Sequence, residues 1–433
     1  MKIGLVSLGC DKNRVDAEKM LARLLSAGYT LTQNEDEADV ILINTCAFID
    51  AAKREAIGAI LDAVDVKKRT GAKIVVSGCF STRYLEEAKA GFPEADAFVP
   101  VKEEDEIVDV VNALFERKGQ ETEENGRILT TPSHYAYLKI AEGCNNRCSY
   151  CAIPAIRGKY VSEPMEKLLE EGKNLAENGV KELIVVAQDT TNYGVDLYGK
   201  KMLVPLLKEL SKLDFWKIRL LYAYPERIDD ELLDFIDKEE KMAKYLDIPM
   251  QHIDDGILKR MRRASDGEKI RSLLKKIRSK DRYIAVRSSF IVGFPGETEE
   301  AQERLKDFVK ENIDYAGFFV FSPEEGTEAY GFKDKIKKSV AKARKTEAEK
   351  AQQQGLAERQ KRFLGKTVEV ICDGIDEKGR AFVGRTEYQT PEVDTKVLFK
   401  ADFNVTQGEV YEVRIDEAGF DLKGTAIRRR EQE

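Results

Sequence analysis

The sequence predicts an α/β protein with two successive parallel-sheet regions, followed by a helical segment and a small β-barrel. Strand-like and helix-like segments alternate over residues 1–118 and again over residues 134–332, which is typical of parallel sheets covered by helices. Residues 333–363 are rich in Ala, Glu, Lys and Gln and predict a helical linker. Residues 366–433 change to short strands separated by turn residues, which predicts a small antiparallel barrel of the OB-like kind.

Composition limits the class of protein. At 433 residues, with 42% hydrophobic and 34% charged, the chain is typical of a soluble globular protein of more than one domain. No apolar run approaches the length of a membrane span, and the apolar part of Met1–Val6 is too short for a secretion signal. Six of the seven cysteines fall into two groups of metal-binding type, so disulfides are not expected. These features favour the reducing cytoplasm and no membrane partner.

Three cysteines follow three strand candidates of the first region. The strand candidates are runs rich in Val, Ile and Leu at Lys2–Leu8, Val40–Asn44, Lys73–Ser77 and Ala97–Pro100. Cys10, Cys46 and Cys79 come just after the first three of them. Because the carboxyl ends of parallel strands share one edge of a sheet, these cysteines are expected to meet in space. They predict a three-thiolate site for an iron–sulfur cluster, whereas core cysteines would be expected inside the strands.

The second region, after a polar linker at Gln120–Ser133, contains six strand candidates. They lie at Tyr135–Ile140, Glu182–Ala187, Lys217–Leu221, Tyr245–Ile248, Ala285–Ile291 and Gly317–Phe321. Six strand–helix units predict an open, partial TIM-like (βα)6 barrel whose chemistry lies at the carboxyl ends of the strands. Polar residues follow four of these strands and predict a lined pocket. His252 is one of them, and a structural histidine is the favoured interpretation over a catalytic acid or base.

Three further cysteines lie close together after the first of these six strands. Cys144, Cys148 and Cys151 have the spacing C-x3-C-x2-C. Three thiolates can share one soft inorganic site, but zinc and a cubic iron–sulfur cluster each need four ligands. The chain offers only His134 and His252 as imidazole ligands, and neither lies in this stretch. The spacing therefore predicts an iron–sulfur cluster with one metal position left open.

This stretch resembles the radical S-adenosylmethionine (SAM) enzymes, whose C-x3-C-x-aromatic-C loop it matches with Tyr150 as the aromatic residue. The resemblance implies that the cysteines bind a 4Fe–4S cluster, whose open iron binds SAM. One electron then cleaves SAM to a 5′-deoxyadenosyl radical, so an electron donor such as flavodoxin or ferredoxin is required. The resemblance also assigns SAM binding to Gln188 and Asp189 after the second strand, and to Arg287 and Ser289 on the fifth.

The order of the three regions resembles the methylthiotransferase family, which combines a three-cysteine α/β domain, a radical SAM barrel and a C-terminal TRAM barrel. The resemblance covers essentially the whole chain. It implies that sulfur is inserted into an unactivated C–H bond and then methylated, with SAM used both as radical source and as methyl donor. It also implies two 4Fe–4S clusters. The second, on Cys10, Cys46 and Cys79, would carry or deliver sulfur from a sulfur donor.

Two branches of this family differ in substrate. One modifies adenosine in transfer RNA, and the other modifies the β-carbon of an aspartate in small-subunit ribosomal protein S twelve. Ser7–Asp16 (SLGCDKNRVD), Val383–Thr386 and Pro391–Asp394 resemble the ribosomal-protein branch, whereas the other branch typically has Gln-Met-Asn after the first cysteine. Residues 365–433 carry 15 Asp and Glu against 11 Lys and Arg, a balance of −4. An acidic barrel suits a basic ribosomal protein, so strong nucleic-acid binding is not expected.

Two alternatives from other classes stay open. A non-enzymatic iron–sulfur protein that binds RNA through its last domain would explain the cysteines but not the lined pocket. A cobalamin-dependent radical enzyme would also begin with an α/β domain, but it usually needs a His at the end of an early strand. No His precedes His134 in this chain.

Overall fold

The computed structural model describes residues 1–117 and 126–430, and the chain folds into two compact units. The first unit comprises residues 1–130, 142–161 and 322–330, and the second comprises the remaining residues. Part of the predicted linker Gln120–Ser133 lies outside the described residues. Each unit combines segments from more than one of the predicted regions. The domain borders expected from the sequence therefore stay a prediction.

The first unit contains a parallel five-stranded sheet. Its strands are β1 (Lys2–Ser7), β2 (Thr30–Thr32), β3 (Val40–Thr45), β4 (Lys73–Gly78) and β5 (Ala97–Pro100), and they lie in the order β2-β1-β3-β4-β5. All four pairings are parallel. The central strand β3 has the sequence VILINT and is buried throughout, as expected for a parallel strand covered on both faces. The predicted strands are confirmed, and the short edge strand β2 was not predicted.

Helices cover this sheet on both faces. They are α1 (Asp11–Ser26), α2 (Asp50–Thr70), α3 (Cys79–Arg83), α4 (Leu85–Gly91), α5 (Ile107–Ala113) and α6 (Ile153–Arg157). Two apolar clusters form the core, one around Ile41, Ile43 and Ile74, the other around Leu42 and Val75. Neighbouring residues of one strand thus pack on opposite faces, because side chains alternate along a strand. The sheet presents the carboxyl ends of β1, β3 and β4 at one edge.

The second unit contains a parallel six-stranded sheet. Between β6 (Tyr135–Lys139) and the next sheet strand, short strands β7 (Ala141–Glu142) and β8 (Val161–Ser162) pair with each other. The other five strands of the sheet are β9 (Glu182–Val186), β10 (Lys217–Leu220), β11 (Met242–Asp247), β12 (Ala285–Val292) and β13 (Tyr315–Val320). Their order is β13-β12-β11-β10-β9-β6, with every pairing parallel. The predicted open (βα)6 arrangement is confirmed.

Helices alternate with these strands. They are α7 (Met165–Glu177), α8 (Val195–Tyr198), α9 (Leu203–Leu210), α10 (Asp230–Lys238), α11 (Asp255–Arg260), α12 (Gly267–Arg278), α13 (Glu299–Asn312) and α14 (Lys338–Gln360). Four of them begin at a side chain that accepts a backbone N–H of the first turn: Asp229, Asp254, Asp266 and Thr298. Such N-caps satisfy amide groups that the helix itself leaves unpaired. Among the described residues, no helix has the length and apolar character that crossing a membrane requires.

The C-terminal strands close into a barrel. They are β14 (Thr367–Ile375), β15 (Phe382–Arg385), β16 (Val397–Lys400), β17 (Val410–Ala418) and β18 (Leu422–Arg429), and they lie in the order β14-β15-β16-β18-β17. The small barrel is confirmed, but it is not wholly antiparallel, because β16 and β18 run parallel. Cys372 is 1% exposed in the barrel core, among Val370, Phe399 and Tyr411.

A buried charge network joins the barrel to the six-stranded sheet of its own unit. Glu182 on β9 accepts hydrogen bonds from Arg219 on β10 at 2.7 Å and from Arg385 on β15 at 2.5 Å, and the Glu182 and Arg219 side chains are fully buried. Arg385 also pairs with Asp373, which in turn contacts His134 at 2.9 Å. Burial favours the neutral acid, but the two arginines lower the pKa of Glu182. The barrel is therefore an integral part of the second unit.

Candidate functional site

The structure places Cys10, Cys46 and Cys79 at the same edge of the first sheet. Cys10 precedes α1, Cys46 follows β3, and Cys79 is the first residue of α3. The approach of the first two loops is close, since a Cβ added to Gly9 would lie 2.7 Å from Cys46 Cβ and 3.4 Å from its Sγ. Gly9 has a φ of +97°, a conformation that side chains other than Gly rarely adopt. The predicted convergence of three strand ends is thus present.

The environment of these thiols favours a soft metal group. Cys10 is exposed, Cys46 is half-buried and Cys79 is buried, and none of the three forms a disulfide. Burial raises the pKa of Cys46, and it raises the pKa of Cys79 to about 12, with the neighbouring thiols contributing in the same direction. Metal binding requires the thiolate form. An iron–sulfur cluster would supply the positive charge that three adjacent thiolates need, so the donor set fits such a group.

The first cysteine set, Cys144, Cys148 and Cys151, lies on a loop of the same unit, and Cys10, Cys46 and Cys79 form the second set. Gly143, directly before Cys144, has a φ of +74°, and a Cβ there would lie 2.2 Å from the backbone oxygen of Lys159. The backbone N–H of Cys144 donates to Gly158 at 3.2 Å, and that of Cys151 donates to Cys148 at 3.1 Å. Cys144 is buried, whereas Cys148, Cys151 and Tyr150 are half-buried. The loop is held at both ends and leaves its thiols partly accessible.

The donor geometry favours a cluster over a single ion. Within residues 1–117 and 126–430, no three His, Cys, Asp or Glu side chains are placed to hold one metal ion. A cubic cluster does not require such a group, because each thiolate binds a different iron atom. The two sets of three cysteines are compatible with two clusters.

Strand ends of the second sheet carry the other predicted residues. Gln188 is half-buried and Asp189 is buried after β9. Asp189 accepts hydrogen bonds from Thr191 and from Arg227, both at 2.6 Å. These two partners fix the carboxylate of Asp189 and offset part of its charge. Arg227 is one of the polar residues that follow the strands, but it was not predicted individually.

Arg287 and Ser289 lie on the more accessible face of β12. Its residues alternate, so that Arg287, Ser289 and Ile291 are half-buried while their neighbours are buried. Arg287 donates to Asp247 at 2.9 Å. Although burial opposes its charge, Asp247 raises the pKa of Arg287, so the guanidinium stays protonated. Asp247 also accepts the backbone N–H of Tyr222 at 3.2 Å, which connects the ends of three neighbouring strands.

Two strand ends have a strained backbone. Tyr222, after β10, has a φ of +58°, and Gln251, after β11, has a φ of +72°. Positive φ is costly for residues other than Gly and is found preferentially at binding and catalytic sites. Asp247 and Tyr222 belong to the site edge but were not predicted individually. Asp247 lies inside a predicted strand, and the sequence pattern of a strand does not indicate that one of its polar residues belongs to a site.

His252 has the features of a structural histidine. It is fully buried, and its Nδ1 accepts the backbone N–H of Asp254 at 3.0 Å. Burial lowers the pKa of His252 to about 4, so the ring is neutral near pH 7. A group that is neutral, fully buried and turned to the backbone is not placed to exchange protons with a substrate.

Replacement of His252 by Gln is expected to reduce the pH dependence of stability. The unfolded state takes up a proton near pH 6.5 and the folded state only near pH 4, so His252 costs stability as the pH falls. Between pH 7.5 and 5.0 the loss is about 2 kcal/mol. Urea unfolding followed by fluorescence of Trp216, the single tryptophan, measures this in the unit that contains His252. Equal pH slopes for the variant and the parent would contradict the assignment.

Comparison with known families identifies the class of protein. Residues 2–100 match the family described as "Uncharacterized protein family UPF0004", residues 138–309 match the Radical SAM superfamily, and residues 364–427 match the TRAM domain. The six-stranded parallel sheet and the C-x3-C-x2-C loop thus define a radical SAM enzyme. Among solved structures, the radical SAM methyltransferase TsrM from Kitasatospora setae is similar, with a TM-score of 0.56 at 14% identity over 76% of each chain. At that identity the likeness concerns the fold alone.

Curated relatives match over nearly the full length. "Ribosomal protein uS12 methylthiotransferase RimO" of Thermoanaerobacter sp. is 44% identical over 98% of this chain and 99% of its own. The proteins of the same name from Lachnoclostridium phytofermentans and Aquifex aeolicus are each 45% identical over 98% of this chain, and over 100% and 97% of their own. The chain belongs to the RimO family of ribosomal protein uS12 methylthiotransferases.

Proposed function

We propose that this protein inserts sulfur at the β-carbon of an aspartate in ribosomal protein uS12 and methylates it, by radical SAM chemistry. The observation that carries the proposal is the gathering of two three-cysteine sets in one compact unit. The substrate follows from relatives of that activity that are 44–45% identical over 98% of the chain. A methylthio transfer needs both a hydrogen-abstracting radical and a sulfur source, which gives each set of cysteines a separate task.

In this proposal, different residues of the chain bind the two clusters and SAM. Cys144, Cys148 and Cys151 would hold one 4Fe–4S cluster, and Cys10, Cys46 and Cys79 the other. When bound, the clusters and SAM supply the radical, the sulfur and the methyl group. Tyr150 would shield the first cluster. Asp189, held by Thr191 and Arg227, would bind the SAM amino group together with Gln188.

Arg287 and Ser289 would bind the carboxylate and ribose of SAM. The contact of Arg287 with Asp247 fixes the direction of the guanidinium, since a planar fork donates in defined directions. An electron donor such as flavodoxin or ferredoxin and a separate sulfur donor are further partners in this proposal. In this proposal the reaction takes place in the cytoplasm, together with the electron donor and the sulfur donor.

The reaction with isolated substrates tests this function. The protein is loaded with iron and sulfide without oxygen, then incubated with SAM, a reductant, and either uS12 or transfer RNA. Mass spectrometry of uS12 is expected to show one methylthio group in place of one hydrogen on a single aspartate. A uS12 variant with Asn at that position serves as the control and should stay unmodified. Modified adenosine in transfer RNA with unmodified uS12 would overturn the substrate and favour the other branch.

The surface of the barrel supports a protein substrate. Arg428 and Arg429 belong to strand β18, and Arg430 directly follows it. Each pairs with a glutamate of the same barrel at 2.7 to 3.1 Å: Glu412, Glu409 and Glu369. These pairs neutralise the main cluster of positive charge in a segment whose balance is −4. Phosphate contacts would require such positive charge to be available.

Reversing charge on the barrel is expected to weaken binding of uS12. Glu377 and Asp402 are exposed on this barrel, and their joint replacement by Lys changes the local charge by four units. The dissociation constant for uS12 should rise several-fold, and the effect should shrink as salt screens it. The matched control is Glu268→Lys with Glu311→Lys, on exposed positions of α12 and α13. An equal loss for both double variants, measured by titration at two salt concentrations, would contradict a binding role for the barrel.

A further inference from the structure

Arg157 is a buried cation that contacts both cysteine-bearing segments of the first unit. It is the last residue of α6, and only 2% of its side chain is exposed. Its Nη1 donates to Asp16 at 2.8 Å and to Glu142 at 2.6 Å, and its Nη2 donates to Asn13 Oδ1. Glu142 directly precedes the loop of the first cysteine set, and the other two partners lie on α1. One guanidinium therefore joins the two segments.

Asn13 extends this contact to the three strand ends of the second set. Its Nδ2 donates to the backbone oxygens of Leu8 at 3.3 Å and Thr45 at 2.8 Å. Its Oδ1 accepts the thiol of Cys79 at 3.6 Å as well as the guanidinium of Arg157. Leu8 and Thr45 lie just before Cys10 and Cys46. Asn13 therefore links Arg157 to all three loops by hydrogen bonds.

The charge of Arg157 is fixed by its surroundings. A guanidinium does not lose its proton in proteins, and the carboxylates of Asp16 and Glu142 both accept hydrogen bonds from this one. The guanidinium thus provides a permanent positive charge beside the thiols of the second set.

We propose that Arg157 is a positioning residue that fixes the two cysteine sets relative to each other and stabilises the reduced state of the second cluster. The inference rests on the proposed function, which assigns a cluster to Cys10, Cys46 and Cys79. Reduction adds one negative charge to a cluster, and a nearby buried cation stabilises that charge because screening is weak there. Lys would keep the charge but lacks the planar fork that reaches three acceptors at once.

The test isolates the second cluster. The background protein has Ala at Cys144, Cys148 and Cys151. Chemical analysis measures its iron and sulfide content, and a redox titration followed by electron paramagnetic resonance measures its midpoint potential. Arg157→Gln is expected to shift the midpoint potential downward, and Arg157→Lys to leave it near the background value. Arg157→Gln combined with Asp16→Asn restores the local charge balance and should return the potential toward that value.

A second readout tests positioning. In the protein with all six cysteines, Arg157→Lys is expected to alter the magnetic interaction between the two reduced clusters. It should also lower the fraction of 5′-deoxyadenosine events that end in methylthio product. If Arg157→Gln does not fold, these two measurements on Arg157→Lys are sufficient to test the role of Arg157. The matched control is Arg127→Gln, which breaks a buried pair with Glu18 in the same unit.

The outcomes separate the two proposals. If the background protein holds no iron–sulfur cluster, the second cluster is absent, and both the proposed function and the role of Arg157 are overturned. If the cluster is present but all Arg157 variants match the Arg127→Gln control in potential and in cluster interaction, only the role of Arg157 is overturned.

Discussion

Replacement of Cys144, Cys148 and Cys151 together by Ala is expected to remove half of the iron and to abolish cleavage of SAM. Protein prepared without oxygen should hold about eight iron and eight sulfide per chain, and the variant about four of each. The reason is that this loop alone has the spacing and partial accessibility that a SAM-binding cluster needs. Iron and sulfide analysis and the amount of 5′-deoxyadenosine measure the two effects.

A matched control exists for this variant. Cys372 is buried in the core of the C-terminal barrel, outside both cysteine sets. Cys372→Ala should leave iron, sulfide and SAM cleavage at the level of the parent. Stoichiometric zinc without sulfide in the parent, or undiminished SAM cleavage in the triple variant, would refute the assignment.

Replacement of Cys10, Cys46 and Cys79 together by Ala is expected to uncouple the reaction. Radical formation requires only the other cysteine set, so 5′-deoxyadenosine should still form. No methylthio product should appear, because sulfur insertion would depend on the cluster that is lost. Chromatography of 5′-deoxyadenosine and mass spectrometry of uS12 from the same reaction measure both quantities.

Two results bear on this second prediction. Iron content should again fall to about four per chain, while Cys372→Ala stays at the level of the parent. Methylthiolated uS12 formed by the triple variant would show that the second cysteine set has no necessary role. Loss of both products would indicate instead that the two sets depend on each other for assembly.

Sequence reasoning found the parallel sheets and both cysteine sets because these depend on local patterns. Apolar runs that alternate with helical segments predict strands such as β3, and Cys46 directly after it is visible without any structure. The edge strand β2 has only three residues, two of them exposed, so it lacks such a pattern. The parallel pairing of β16 with β18 depends on the path of the chain, which no local pattern records.

The partners of the site residues could not be predicted. Arg157 and Asn13 are 144 positions apart, and no sequence pattern links the two. Asp247 lies within a strand pattern, so its contact with Arg287 becomes visible only when β11 and β12 are paired. Candidate ligand residues with a recognisable spacing can be predicted from sequence, whereas the residues that contact them depend on tertiary structure.

The C-terminal barrel shows the same limit. The sequence pattern of residues 366–433 predicts a small barrel but indicates no contact between it and the rest of the chain. In the structure, removal would take Arg385 away from Glu182, which is fully buried. Loss of one partner of a buried ion pair costs about 3–5 kcal/mol. Charge variants on the exposed surface are therefore better suited than truncation to test what the barrel binds.

The first unit includes a segment that the ribosome synthesises much later than the rest of the unit. Its last segment, residues 322–330, includes Glu324, which pairs with Arg83 at 3.0 Å and accepts the backbone N–H of Asp50 at 2.9 Å. Translation proceeds at about 5–20 residues per second, so the roughly 200 residues between positions 130 and 330 take about 10–40 seconds to make. A sheet that forms during that interval lacks the segment that completes the unit. The edge that carries Cys10, Cys46 and Cys79 is then open to other molecules before the polypeptide is finished.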